Sequence, residues 1–286
     1  MYTLDMDTYS RIVELLPIDV INQLRITTST NYYQLTTLRN TDNFWKLRLE
    51  KFLDIQITQI PTSQTWYQLY TKITTGYLNL SQKLITFGRI GDFSVVQLLI
   101  QAGVDVTADN NSALRAASSY EYPEVVQLLI DAGADVTAQN NQALRWASIN
   151  GHYRVVQLLL KTGADVTADN NQALRGASIN GHYQVVQLLL NAGADGTADN
   201  NEALRGASEF GHAQVVELLL NAGADASAGN NEALRWASEF GHVQIVKLLL
   251  KAGADVTAEN NEALREASRY GHSQIVELLL KTGATL

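Results

Sequence analysis

Residues 141–170 read NQALRWASINGHYRVVQLLLKTGADVTADN, and close variants of this string recur at one fixed spacing through the C-terminal part of the chain. Leu84, Leu114, Leu144, Leu174, Leu204, Leu234 and Leu264 are each 30 residues apart. Self-similarity at a fixed period of roughly 20 to 50 residues marks a solenoid, in which one supersecondary unit is stacked many times.

Within the unit, Asn141 precedes an apolar-periodic stretch, where it is expected to cap a helix that runs to about Asn150. Leu144, Ala147 and Ser148 share one face of that helix, while Trp146, about 200° round from Leu144, faces the opposite way with Ile149 and Asn150. Gly151 stops the first helix, and a second carries Val155, Val156, Leu158, Leu159 and Leu160 inward. Arg154, Gln157 and Lys161 form its solvated stripe, and Gly163 ends it. A lone helix pair of this kind cannot bury its apolar face, so each unit must lean on its neighbours.

The elements GADVTA, ALRxAS, GHxxVVxLLL and a trailing glycine resemble the ankyrin repeat. The resemblance covers residues 81–286, divided as 81–110, 111–140, 141–170, 171–200, 201–230, 231–260 and 261–286. It implies an all-α fold: an ankyrin-type helical solenoid of seven 30-residue repeats, preceded by a small helical domain over residues 1–80. The family's unit is about 33 residues long, and the shortfall here lies between Ala168 and Leu174, where the family places its β-hairpin finger. A tight turn is therefore expected there, with shortened fingers that offer little binding surface.

The chain contains no cysteine, which excludes disulfides and thiolate metal sites and suits a reducing compartment. The opening MYTLDMDTYS is acidic with no apolar run, so no signal peptide is expected, and no stretch of 18 apolar residues offers a membrane span. These features point to the cytoplasm, with the nucleus also compatible. Residues 1–80 hold 7 basic and 7 acidic side chains, whereas residues 81–286 hold 14 and 22, so the formal charge of -8 belongs to the repeats. An acidic array repels phosphate backbones, which argues against nucleic acid and for a protein partner with a basic or neutral surface.

Residues 1–80 carry no trace of the repeat. An N-terminal apolar helix (Leu4, Ile12, Val13, Leu15) leads to Leu16-Pro17-Ile18-Asp19-Val20, then to Ile21 and Leu24-Arg25-Ile26. Further on come Asn43-Phe44-Trp45-Lys46-Leu47 and a stretch with Trp66, Tyr67 and Tyr70. This order resembles an F-box, and an F-box followed by near-identical ankyrin arrays resembles proteins that large DNA viruses encode in many copies. That resemblance implies docking of a Skp-type adaptor of a cullin-type ubiquitin ligase through Leu16, Pro17, Val20, Ile21 and Leu24, and a host-cell cytoplasmic setting. The other reading is a helical cap over the first repeat.

Several repeated side chains could carry chemistry. His152, His182, His212, His242 and His272 all occupy a Gly-His turn (Gly211-His212, for instance). Packed helices stand roughly 8–10 Å apart and zinc ligands about 2 Å from one ion, so neighbouring histidines cannot share a metal, and a hydrogen bond within the turn is expected instead. Arg115, Arg145, Arg175, Arg205, Arg235 and Arg265 could bind an anion, or could pair with the aspartates of Gly-Ala-Asp such as Asp165 and Asp195. Glu209 and Glu239 suggest a carboxylate pair, but they lie a full repeat apart, and no oriented nucleophile, phosphate loop or HExxH pattern accompanies them. No catalysis and no cofactor are expected.

What remains is the variable stripe of the first helix, which in ankyrin arrays lines the concave, partner-binding face. It includes Trp146, Ile149, Asn150, Gly176, Asn180, Gly206, Glu209, Phe210, Trp236, Glu239, Phe240 and Tyr270. Two readings stand for its middle: a notch between Trp146 and Trp236 floored by Gly176 and Gly206, or glycines that relieve crowding between packed helices. Towards the C-terminus the polar Asn150 and Asn180 give way to Phe210, Phe240 and Tyr270 beside glutamates, a surface suited to an arginine- or lysine-bearing segment.

Overall fold

The structure, a computed structural model, describes Lys46, Leu49, Glu50, Leu53, residues 65–74 and residues 78–285. The adaptor-contact residues Leu16, Pro17, Val20, Ile21 and Leu24, and Phe44, Trp45 and Leu47, lie outside them. Every element among the described residues is a helix, and these divide between two compact units.

The first unit takes in the described residues up to Phe87, together with Asp92–Asp105. Leu49 and Leu53 are buried in it. Helices α1 (Trp66–Thr74), α2 (Leu80–Ile90) and α3 (Phe93–Gln101) follow, with α1 packed on α3. Both α1 and α2 open on a capping box. Thr65 Oγ1 accepts from the N–H of Gln68 while Gln68 Oε1 accepts from the N–H of Thr65; Asn79 and Gln82 do the same. Asn79, two residues ahead of Ser81, therefore caps the first helix of the first repeat. Lys83 is buried and donates to the carbonyl of Ile73 at 2.6 Å, placing a cation at the C-terminal end of α1 as the helix dipole favours. Burial pushes its ammonium pKa down. Asp92 caps α3 through the N–H of Val95 and pairs with Lys72.

The second unit comprises Gly88–Gly91 and the chain from Val106 on, and it is the solenoid. Its first helices are α4 (Ala108–Ser118), α6 (Ala138–Ile149), α8 (Ala168–Ile179), α10 (Ala198–Glu209), α12 (Ala228–Glu239) and α14 (Ala258–Arg269). They alternate with second helices α5 (Pro123–Asp131), α7 (Tyr153–Lys161), α9 (Tyr183–Asn191), α11 (Ala213–Asn221), α13 (Val243–Lys251) and α15 (Ser273–Lys281). Each first helix packs on its own second helix and on the first helix of the next repeat. The expected inward positions close the core: Leu144, Ala147, Val155, Val156 and Leu159 and their equivalents in the repeats on either side are buried. At about 1.5–3 kcal/mol for each fully buried large aliphatic side chain, this repeated line of contacts supplies the stability that one helix pair lacks.

Both helices of a repeat end in a Schellman motif. In the repeat of residues 141–170, the N–H of His152 bonds the carbonyl of Ala147 and that of Ala164 bonds the carbonyl of Leu159, with Gly151 at φ +75° and Gly163 at φ +101°.

The start of the first helix departs from expectation. Asn141 does not cap it. Gln139, Asn140 and Asn141 all adopt left-handed backbone angles, φ 54°, 54° and 56°, as do Asp109-Asn110-Asn111, Asp169-Asn170-Asn171, Asp199-Asn200-Asn201, Gly229-Asn230-Asn231 and Glu259-Asn260-Asn261. Three successive left-handed residues reverse the chain in a single turn, and this replaces the family's hairpin finger. L-residues pay roughly 1–2 kcal/mol each for that conformation unless, like Asn, Asp or Gly, they tolerate it, which explains why those three residue types dominate the turn.

Candidate binding face

Three sets of side chains brace the repeats, the first within each repeat and the other two from one first helix to the next. The last asparagine of the first five left-handed turns is buried, and its Oδ1 accepts from a backbone N–H 24 residues on: Asn111 from Asp135, Asn141 from Asp165, Asn171 from Asp195, Asn201 from Asp225 and Asn231 from Asp255, at 2.6–2.8 Å; the half-buried Asn261 accepts from Thr285 at 3.1 Å.

The histidines form the second set. Their hydrogen bonds run to the preceding repeat rather than within their own turn. His152 Nε2 donates to the carbonyl of Ser119, His182 to Ile149, His212 to Ile179, His242 to Glu209 and His272 to Glu239, at 2.8–3.1 Å. Each acceptor is a carbonyl in the last turn of a first helix, left without an intrahelical partner. Four of the rings also lie where a Cβ would stand on the preceding turn glycine: His182 on Gly151, His212 on Gly181, His242 on Gly211 and His272 on Gly241, at 2.5–2.8 Å. Among the described residues no group of three or more His, Cys, Asp or Glu could hold a metal ion.

The arginines form the third. The expected ladder of charge pairs is present and runs between repeats, but its acids differ from those expected. Arg145 pairs with Asp169 at 2.8 Å, Arg175 with Asp199 and Glu202, Arg205 with Glu232, and Arg235 with Glu262. The left-handed turn brings Asp169 and Asp199, at the start of α8 and α10, up to the arginine of the preceding first helix. The same guanidinium groups satisfy carbonyls of their own turn: Arg115 bonds the oxygens of Asp109 and Asn110, Arg145 that of Gln139, and Arg265 that of Glu259. The aspartates of Gly-Ala-Asp instead brace the backbone. Asp165 accepts from the Thr167 hydroxyl and N–H, Asp195 from Thr197, Asp225 from Ser227 and Asp255 from Thr257. Those hydroxyl bonds, then the backbone bonds, hold all four carboxyl groups below the usual carboxylate range.

Beside these groups, variable side chains face solvent at the C-terminal ends of the first helices. Phe210, Phe240 and Tyr270 are 55%, 50% and 53% exposed, and Tyr120 and Trp146 are exposed as well. Asn150 and Asn180 hold the same register, bonding the carbonyls of Ser119 and Gly176 respectively. Trp236 is half-buried. Glu209 and Glu239 are half-buried and, among the described residues, belong to no ion pair.

Between the tryptophans there is no open notch. A Cβ on Gly176 would stand 2.4 Å from Ile149 Cγ1, and one on Gly206 2.5 Å from Ile179 Cγ1. Each isoleucine fills the place of the side chain missing from the next repeat, so the glycines relieve crowding. At the equivalent register Trp146 follows Ser119 and Trp236 follows Glu209.

The tight turn expected between Ala168 and Leu174 is present, but sequence reasoning missed its left-handed backbone and hence the acid partners of the arginines. Gly229, in the register of Asp109, Gln139, Asp169 and Asp199, was the available signal.

A comparison with curated proteins gives no match. A family model described as ankyrin repeats, three copies, matches residues 84–170, 138–200, 168–230 and 204–286. Those matches overlap into one continuous stretch that coincides with the stacked helix pairs, and the chain belongs to the ankyrin-repeat family.

Proposed function

We propose that the chain is a protein-interaction module whose first-helix face, centred on Trp146, Phe210, Trp236, Phe240 and Tyr270, captures a target protein. The observation that carries this reading is the exposed aromatic series at the ends of successive first helices, on repeats whose other side chains are nearly invariant within the chain. Aromatic side chains dominate binding hot spots, and Phe210, Phe240 and Tyr270 have about half of their surface open to solvent. Capture of partners by the full chain is expected to fall when Trp146, Phe210, Phe240 and Tyr270 are all changed to Ala, and to survive Tyr183→Ala on a second helix. Equal capture by both variants would place the binding surface elsewhere.

A finer reading gives residues 1–80 a second task. Leu16-Pro17-Ile18-Asp19-Val20 and Leu24-Arg25-Ile26 keep the order of an F-box, which supports docking of a Skp-type adaptor and delivery of the captured target, a host protein in the viral setting, to a ubiquitin ligase in the cytoplasm. Such a protein works by proximity, raising the effective concentration of target near ligase. Titration of purified Skp adaptor into the full chain, followed by heat release, tests it. Micromolar binding lost in a Pro17→Asp/Val20→Asp variant is the expected result. No heat at high concentration would leave a module that acts by masking its target.

A further inference from the structure

The seventh repeat shows what the fifth and sixth lack. Arg269 occupies the position held by Glu209 and Glu239 in the two repeats before it. Its guanidinium carbon lies 5.9 Å from the centroid of the Tyr270 ring, within cation–π range, and Nη1 stands 3.5 Å from the Glu266 carboxylate. An aromatic ring, a carboxylate and a guanidinium thus meet at the end of α14. At the ends of α10 and α12 the register of Glu266 is held by Gly206 and Trp236, and a carboxylate, Glu209 before Phe210 and Glu239 before Phe240, stands where the seventh repeat has its guanidinium; among the described residues neither glutamate belongs to an ion pair.

Resting on the first-helix face as the binding surface, we propose that its partner is an arginine-bearing protein segment, two of whose guanidinium groups settle at Phe210/Glu209 and Phe240/Glu239. Charge favours this occupant: of the other first-helix glutamates, Glu202, Glu232, Glu262 and Glu266 pair with Arg175, Arg205, Arg235 and Arg269, and Glu259 accepts from the Asn230 amide. Glu209 and Glu239 keep their charge uncompensated beside an exposed ring. Arginine fits better than lysine because its planar group stacks on a ring and still offers N–H donors to a carboxylate. Spacing sets the segment's form. Successive first helices stand roughly 8–10 Å apart, and residues three apart in a polyproline II segment share one face and span about 9 Å, so the two arginines are separated by two residues in a segment of that form.

The test selects a phage library of random twelve-residue peptides on the full chain and measures the enriched peptides by fluorescence anisotropy. Peptides with arginines at i and i+3 are expected to win, and Glu209→Gln/Glu239→Gln should weaken them at least about tenfold. In an Arg269→Glu variant, which extends the row of carboxylates by one repeat, peptides with a third arginine should gain. Circular dichroism confirms that each variant is folded. Enriched peptides without paired arginines that still require Phe210 and Phe240 would overturn the arginine assignment and leave the binding face standing. Peptides indifferent to every first-helix substitution would overturn both. Failure to enrich any peptide would overturn the assignment, because an exposed ring with a free carboxylate in each of two adjacent repeats must select its cation.

Discussion

Asn171 shows how much one side chain does in this array. It accepts a left-handed backbone at φ 57° and, from a buried position, holds the N–H of Asp195, past the second helix of its own repeat, at 2.8 Å. Asn171→Ala removes the bond and leaves a Cβ-bearing residue that tolerates the conformation poorly. A loss of about 2–3 kcal/mol is expected in urea unfolding, from roughly 1–2 for the backbone and about 1 for the bond. Asn171→Gly keeps the backbone free, loses the bond alone and should cost about 1 kcal/mol. Equal losses for the two variants would show that the left-handed turn is not under strain. The braced aspartates make a second prediction at this scale. Asp165, Asp195, Asp225 and Asp255 have carboxyl groups held below their ordinary range by Thr or Ser hydroxyls, so the unfolded chain takes up protons first as pH falls. Their stabilisation is complete above the unfolded value, about pH 4, and is lost as pH drops through the lower folded values. Thr197→Val, which removes the hydroxyl holding Asp195, should flatten the fall of the urea midpoint below about pH 4.

At the scale of the element, the packing of one first helix on the next depends on matched sizes. Gly176→Ala should raise the stability of α8 by about 1 kcal/mol on propensity alone, yet the added Cβ meets Ile149 Cγ1 at 2.4 Å. Overpacking is expected to win, with a net loss of about 1–3 kcal/mol, and Ile149→Ala in the same chain should recover much of it. A double-mutant cycle without coupling would contradict the packing. The helices themselves were legible in the sequence: the leucine period, the glycine stops and the buried face of Leu144, Ala147, Val155 and Leu159 stand where the 3.6-residue pattern puts them. The left-handed turn was not, because an asparagine ahead of an apolar run serves equally as a cap or as a left-handed residue, and only tertiary contact decides. The acid partners of the arginines were lost with it, since the turn determines which carboxylate comes within reach. Of the candidate face, the exposed aromatics could be read from their register. The filling of Gly176 by Ile149 could not, because it depends on a neighbour 27 residues away.

Along the solenoid, the first helices of the repeats from 141–170 to 231–260 pack on both neighbours, whereas that of residues 261–286 packs on one. Ser118, Ser148, Ser178, Ser208 and Ser238 are fully buried while Ser268 is exposed, Arg265 has no acid partner among the described residues, and Leu280 is 42% exposed. In a quasi-one-dimensional stack, stability is a sum of nearest-neighbour terms. Amide exchange in α14 and α15 should therefore be faster than in α12 and α13, and equal protection would refute this. The face itself is tested most directly by carboxyl footprinting. Peptides selected on the full chain are bound, the complex is labelled with carbodiimide and glycine ethyl ester, and modification is read residue by residue. The account predicts that Glu209 and Glu239 on the first helices become protected while Glu217 and Glu277 on the second helices stay reactive. Protection of Glu217 and Glu277 with Glu209 and Glu239 still open would contradict it.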